Sequence, residues 1–359
     1  MAIETGILST IGKTPLVELN KLYPVTSSIF YAKLDMFNPA GSSKDRTAYL
    51  ILSKAVEKGE LNQNSTVIES SSGNMAIGLA QVCRYMDLNL VVVTDPKINR
   101  HTVDLIRAYG AKIEFVMEAD SSGNYLKGRL KRVRQLLDTI PNSYWPNQYS
   151  NYLNPEAHYQ TMKEIADQCP EPPDYILAAT STCGTIMGCA RYVRRHKLKT
   201  KVVAVDAVGS IIFGTSKGKR LIPGHGAGKK SELLDKSFID HVFHMTDIDC
   251  IIGCRRLLYR ESILAGGSAG AVVMAAEKLN LLVPENSTFV MIFPDSGERY
   301  LDTIYNDSWV ESNFDKMEKL DSIDSDKKGV PASMTSMVKN SGLINEQWPN
   351  KNGGGQDHS

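Results

Sequence analysis

A single lysine, Lys44, stands in the stretch NPAGSSKDRTAYL, directly after Gly-Ser-Ser and at the start of an expected helix. A cation there is locally disfavoured, because a helix N-terminus carries partial positive charge and favours acids. Two readings compete: a solvated lysine whose neighbour Asp45 compensates the dipole, or an amine kept for chemistry. Three further segments, ESSSGNMAIG, ATSTCGTIMG and AGGSAGAVV, are rich in Gly, Ser and Thr and are expected at strand-to-helix junctions. Such loops let backbone N–H groups approach an anion, with a helix N-terminus behind them. Taken singly, each is more often an N-cap and a tight turn. Neither GxxxxGK[ST] nor a GxGxxG followed by an acid occurs, which disfavours nucleotide binding. The HVFH spacing does not stack His241 and His244 on one helix face, so no metal is expected. The basic run RYVRRHKLK falls where a helix should end and complements its dipole. KGRLKRVRQ reads as a solvated face from which one member could reach a cleft.

The elements that must position these loops alternate. TVIES, LNLVVVT and AKIEFV read as strands, with helices through MAIGLAQVCRYM, TVDLIRAYG and GRLKRVRQLL. A second series follows the Pro/Asn/aromatic-rich passage SYWPNQYSNYLNP. It comprises a helix through HYQTMKEIADQ, strand DYILAAT, helix IMGCARYVRRH, strand KVVAVDA, helix GAVVMAAEKLNLL and strand STFVMIFPD. Strands alternating with helices predict parallel sheets, and ligands in such folds bind at the carboxyl ends of the strands, where the Gly-rich loops fall. Two α/β layers with a cleft between them follow. Residues 316–359 are polar, lack periodicity and end in NGGGQDHS, as a mobile tail would.

Of the 359 residues 42% are hydrophobic and 23% charged, which suits one large or two medium globular domains. The formal net charge of +1 gives no global attraction to nucleic acid or anionic membrane, so any anion needs a local site. The six cysteines show no CxxC pair and fall largely in apolar helical patterns, as reduced buried thiols do. The start MAIETGILSTIGKTP lacks the features of a signal peptide, and no apolar run reaches spanning length. A cytoplasmic protein is expected.

The ordered set NPAGSSKDR, ESSSGN, NQY…HY, STCGT, PGHGAG and PDSGERYL closely resembles the cysteine synthase-like enzymes, fold-type II pyridoxal-phosphate (PLP) proteins, from about Gly12 to Leu301. The resemblance implies a tryptophan synthase β-like α/β fold of two open twisted domains with PLP in the cleft. The larger domain would take residues 12–44 and 151–315, and the smaller, mobile one 45–150. Lys44 matches the lysine that forms the Schiff base and serves as acid and base. Asn74 matches the asparagine that bonds the 3-oxygen of PLP. Ser71, Ser72 and Gly73 match the loop that closes on the substrate carboxylate, and Gln148 a glutamine beside it. Ser181, Thr182, Cys183, Gly184 and Thr185 match the phosphate-binding turn, and Ser296 the residue facing the pyridine nitrogen. A hydroxyl there, instead of a carboxylate, would leave PLP a mild electron sink, suited to β-elimination.

Departures from the common cysteine synthase pattern narrow the choice. Where those enzymes typically read TSGNTG, GTGGT and GISSG, this chain has SSGNMA, STCGT and GGSAG. These, with VDAVGSIIFG, YLKGR, YWPNQY and PDSGERYLDTIYNDSW, resemble the branch that makes N-(2-amino-2-carboxyethyl)-L-glutamate on the way to L-2,3-diaminopropionate and siderophores such as staphyloferrin B. The implied reaction is β-replacement: O-phospho-L-serine loses phosphate and gains the amine of L-glutamate. Arg129, Tyr149 and Arg220 are the candidates for contacts to these anionic substrates, against the alternative of surface arginines and an aromatic core residue. A homodimer is implied as well. Two other readings stay open: a cysteine synthase using sulfide, and an idle amino-acid-binding or complex-forming homologue. Retention of both Lys44 and Asn74 argues against the latter.

Overall fold

In the computed structural model, residues 4–314 are described, except 122 and 215. The segment read as a polar tail lies outside the described residues. Among the described residues ten strands form two sheets. The six-stranded sheet contains β1 (Leu16–Glu18) and β2 (Ile29–Leu34), and later β7 (Tyr175–Ala179), β8 (Lys201–Ala207), β9 (His241–Met245) and β10 (Thr288–Phe293). The four-stranded sheet is built from the intervening β3 (Thr66–Ser70), β4 (Asn89–Thr94), β5 (Lys112–Phe115) and β6 (Ser143–Tyr144). The orders are β1-β2-β10-β7-β8-β9 and β5-β4-β3-β6, parallel throughout except for the antiparallel pair β1–β2. Parallel strands covered by helices on both faces read as continuous apolar runs, and β8 (KVVAVDA) is buried from its second residue to its last.

Among the described residues nine helices cover the sheets: α1 (Lys44–Glu57), α2 (Asn74–Tyr85), α3 (Arg100–Ala108), α4 (Leu126–Thr139), α5 (Leu153–Gln168), α6 (Gly184–Arg195), α7 (Asp247–Glu261), α8 (Gly267–Asn280) and α9 (Asp307–Asn313). The helix expected from His158 starts five residues earlier, because Pro155 falls in the first turn, where a missing N–H costs nothing. β2 and α7 have no counterpart in the expected series. The third Gly-rich loop therefore joins two helices, α7 and α8, and does not follow a strand. Those helices cross at Gly253 and Gly270. A Cβ on Gly270 would lie 2.0 Å from the Cys250 carbonyl oxygen, and one on Gly253 2.1 Å from that of Gly270.

One buried cluster of charges fixes α1 from behind. Arg46 pairs with Asp35 at 2.9 Å and with Glu164 of α5 at 2.7 Å, and the fully buried Lys33 of β2 reaches Glu164 at 2.9 Å. Burial alone would raise the Glu164 carboxyl, but Arg46 and Lys33 overrule it and hold it down to about 2. All six cysteines are buried and free of disulfides. Among the described residues, no helix is long and apolar enough to cross a membrane.

Candidate active site

The first turn of α1 settles the role of Asp45. Its carboxylate accepts from the Ala40 N–H at 2.6 Å and from the Ser42 hydroxyl at 3.2 Å, closing the Gly-Ser-Ser turn as a buried strut. Burial pushes that carboxyl up to about 7, so it is no solvated counter-charge. Gly41 permits the turn through a φ of +85°, and the Ser43 N–H bonds to the Pro294 carbonyl at the end of β10. Lys44 is thereby delivered into a cavity, where burial lowers its amine below the ordinary value, opposed in part by Asp295, Asp35 and Cys183. A depressed ammonium is a better base near neutrality.

Lys44 shares its cavity with the Ser181–Thr185 turn, Gly224, Ser268 and Pro294. Larger hollows, of about 880 Å³ near Tyr49 and Tyr85 and about 470 Å³ near Cys83 and Tyr109, are not lined by a buried lysine. Chemistry, then, locates the site where size does not. The 181–185 turn sits at the N-terminus of α6 with Cys183 in the left-handed region at φ +65°. Asn154 donates to the Thr182 hydroxyl at 3.1 Å, Ser231 donates to the Thr182 carbonyl at 2.5 Å, and Thr185 meets His158 at 3.3 Å. Gly184 is required by close approach, since a Cβ there would fall 2.0 Å from Asn154 Oδ1. Hydroxyls, helix N–H groups and an amine line this cavity, and no carboxylate does. That donor set fits an anionic, aldehyde-bearing cofactor: a phosphate on the turn and a carbonyl carbon on Lys44.

Asn74 opens α2 from the smaller sheet, and its side chain crosses to the larger one. Its Nδ2 donates to Asp295 Oδ2 at 2.8 Å and its Oδ1 accepts from Arg299. Before it, Ser71 is buried with its N–H on the Val93 carbonyl, Ser72 is exposed, and Gly73 donates to the Ser71 hydroxyl at 3.4 Å. Glu69 ties this loop to the next one. Its buried carboxylate accepts from Ser70 N–H at 2.8 Å, Trp145 Nε1 at 3.2 Å and the N–H of the buried Gln148 at 3.4 Å. Burial pushes Glu69 up to about 7.

Tyr149, Arg129 and Arg220 come from three separate segments and converge. Burial raises the Tyr149 phenol, which hydrogen-bonds Ser181 and feels both arginines. Arg129 pairs with Asp95 at 3.3 Å, but in a geometry that leaves its buried Nε and Nη1 without a hydrogen bond. Arg220 donates from Nη1 to the His225 carbonyl, while its Nε is likewise unmet.

Ser296 lies apart from this constellation. It caps the short 3-10 turn Gly297–Tyr300 in an extended conformation, its backbone bridges Ala265, and it is absent from the lining around Lys44. Successive side chains of an extended segment point opposite ways, and here Asp295 is the one that meets Asn74. Ser268, in the first turn of α8, does line the cavity, along with the hydroxyls of the 181–185 turn. Both Ser268 and Asp295 lie in motifs legible in the sequence, but no spacing rule says which residue of such a motif faces inward.

The family described as pyridoxal-phosphate dependent enzyme matches residues 7–295. The chain belongs to this family. N-(2-amino-2-carboxyethyl)-L-glutamate synthase of Ralstonia nicotianae is 47% identical over 309 residues, covering 86% of this chain and 91% of that protein. The fold is similar to the O-acetylserine dependent cystathionine beta-synthase of Helicobacter pylori (TM-score 0.78, 32% identity, covering 85% of this chain and 100% of that one). It is also similar to cysteine synthase of Entamoeba histolytica (TM-score 0.81, 29% identity, 90% and 95%). The cofactor of the family is pyridoxal phosphate, for which the donor set around Lys44 is suited.

Proposed function

We propose that the chain joins the amine of L-glutamate to the β-carbon of O-phospho-L-serine with release of phosphate, giving N-(2-amino-2-carboxyethyl)-L-glutamate as a precursor of 2,3-diaminopropionate. The observation that carries this choice is the convergence of Arg129, Tyr149 and Arg220, with unmet guanidinium N–H groups, beside the Lys44 cavity. Sulfide needs no such contacts, whereas a phosphate ester and a dicarboxylate both do. The relative from Ralstonia nicotianae carries a name that matches the same product.

PLP, when bound, would supply the electron sink that makes the α-proton of the amino acid acidic and its β-substituent able to leave. The protein's own residues do the rest. The 181–185 turn, at the N-terminus of α6, would hold the cofactor phosphate. The buried amine of Lys44 takes the proton from Cα and returns it once the new bond to Cβ has formed. Ser71, Ser72, Gly73 and Gln148 hold the substrate carboxylate. Arg129, with Tyr149, holds the departing phosphate and then a carboxylate of glutamate. Ser268, in the cavity lining, would bond the ring nitrogen, the role expected of Ser296. The units 45–150 and 12–44 with 151–315 close on one another, and the protein works as a cytoplasmic homodimer. Supplying O-phosphoserine with glutamate or with sulfide, and weighing the products, tests the choice: the glutamate adduct is expected, and cysteine as the exclusive product would overturn it.

A further inference from the structure

The segment PDSGERY holds Asn74 from both sides. An asparagine amide has a donor end and an acceptor end that crystallographers and chemists alike must assign from partners. Here the partners leave one choice. Asp295 Oδ2, an acceptor, faces Nδ2 at 2.8 Å, and the guanidinium of Arg299, which can only donate, faces Oδ1. Turning the amide over would set oxygen against carboxylate and NH2 against guanidinium, losing both bonds and creating two like-with-like contacts.

Each jaw of this clamp is itself fixed. Tyr300 donates to the same Asp295 oxygen at 2.5 Å, and the Asp295 carbonyl accepts the Gly266 N–H. Arg299 donates from Nη2 to the Ala40 carbonyl at 2.6 Å, in the turn that presents Lys44, and its own carbonyl accepts from Asn99. Asp295, Arg299 and Tyr300 are all buried. With one N–H committed to Asp295, Nδ2 keeps a second that is free to donate. We propose that Asp295 and Arg299, steadied by Tyr300, are positioning residues that lock the Asn74 amide so that it offers a donor, and never an acceptor, to the ring oxygen of PLP. The lock also spans the two sheets, so the donor is set only while α2 is seated against the end of β10.

The proposal rests on the placement of Asn74 at the cofactor, and the two can fail separately. The experiment uses the full chain loaded with pyridoxal phosphate, recording its visible absorption spectrum, the cofactor Kd and the thermal melting point for wild type, Asn74→Ala, Asp295→Asn, Arg299→Lys, and Asn74→Ala combined with each. Asp295→Asn and Arg299→Lys are expected to shift the spectrum in the same sense as Asn74→Ala and to weaken cofactor binding about tenfold. In the Asn74→Ala background neither should add a further change in spectrum or Kd, because residues acting through one group are non-additive. Undiminished effects in that background would show action on the cofactor or Lys44 directly and overturn the lock, as would wild-type spectra in both single variants. An unchanged spectrum in Asn74→Ala alone would instead remove Asn74 from the cofactor. Should Asp295→Asn not fold, the Arg299→Lys cycle decides.

Discussion

The floor of the site, around Lys44 and the 181–185 turn, and its rim, around Arg129 and Arg220, differ in how their polar groups are satisfied. On the floor the groups that shape the turns are engaged by protein: Asp45 closes the lysine turn, and Asn154 and Ser231 hold Thr182. Behind them Arg46, Asp35, Glu164 and Lys33 neutralise one another. On the rim, two half-buried arginines keep buried N–H donors unmet. A satisfied site is built to hold one permanent occupant in one geometry. Unmet buried donors cost stability until a ligand arrives, which is why the proposed substrate contacts are assigned to the rim.

The contrast can be broken most severely at its centre. Lys44→Ala should reduce turnover by about 10²- to 10⁴-fold, the range of a lost acid-base group, while the melting point holds, since the Lys44 amine belongs to no ion pair that braces α1. Turnover within tenfold of wild type would remove it from the chemistry. Glu164→Gln tests the bracing itself. It leaves Lys33 without a carboxylate and Arg46 with Asp35 alone, and should cost about 3–5 kcal/mol in a denaturant titration; a loss below about 1 kcal/mol would mean that the floor is held by other means. The sign with pH is fixed by the depressed carboxyl. Its contribution is complete above the ordinary value of 4.5 and is lost as pH falls toward about 2, a window in which wild type should weaken more than the variant.

The rim should respond in the opposite way. Arg129→Gln is expected to raise KM for O-phosphoserine by about 10- to 100-fold, the worth of a hydrogen bond to a charged group, with kcat little changed. Stability should stay within about 1 kcal/mol, because unmet donors are removed along with the Asp95 pair. A folding defect of the Glu164 size would erase the distinction between floor and rim. The smallest effects separate two hydroxyls. Ser296→Ala should leave kcat/KM within about twofold, whereas Ser268→Ala should shift the absorption spectrum of the PLP-loaded protein. The reverse outcome would return the ring nitrogen to Ser296.

What was legible in the sequence follows the same division. Lys44, the SSGN loop and STCGT were readable as candidates because their residues are contiguous: a turn that offers donors at a helix N-terminus takes them from five neighbouring residues. The parallel sheets were readable because their strands are apolar end to end. The bracing was not. Lys33 sits in an otherwise apolar strand and Glu164 on an amphipathic helix far along the chain, and only folding brings them to Arg46. Asp45 was legible as a charge but not as a buried strut, since burial is set by Ala40 and Ser42 curling over it. The rim residues were visible only as candidates, because 129, 149 and 220 share no spacing. In PDSGERY and AGGSAG the motif was legible and the inward-facing residue was not.

The glycine pair at the crossing of α7 and α8 has a bearing on how such a site can diverge. With a Cβ at Gly270 barred by the Cys250 carbonyl, α8 cannot rotate or slide without parting from its neighbour, and Ser268 rides on its first turn. New specificity by way of this helix would demand simultaneous change on α7. Arg129, in the first turn of α4, and the loop residues Tyr149 and Arg220 face no such veto. A lineage drifting from one nucleophile to another is therefore steered to rewrite 129, 149 and 220 first, and to inherit the cofactor's berth unaltered.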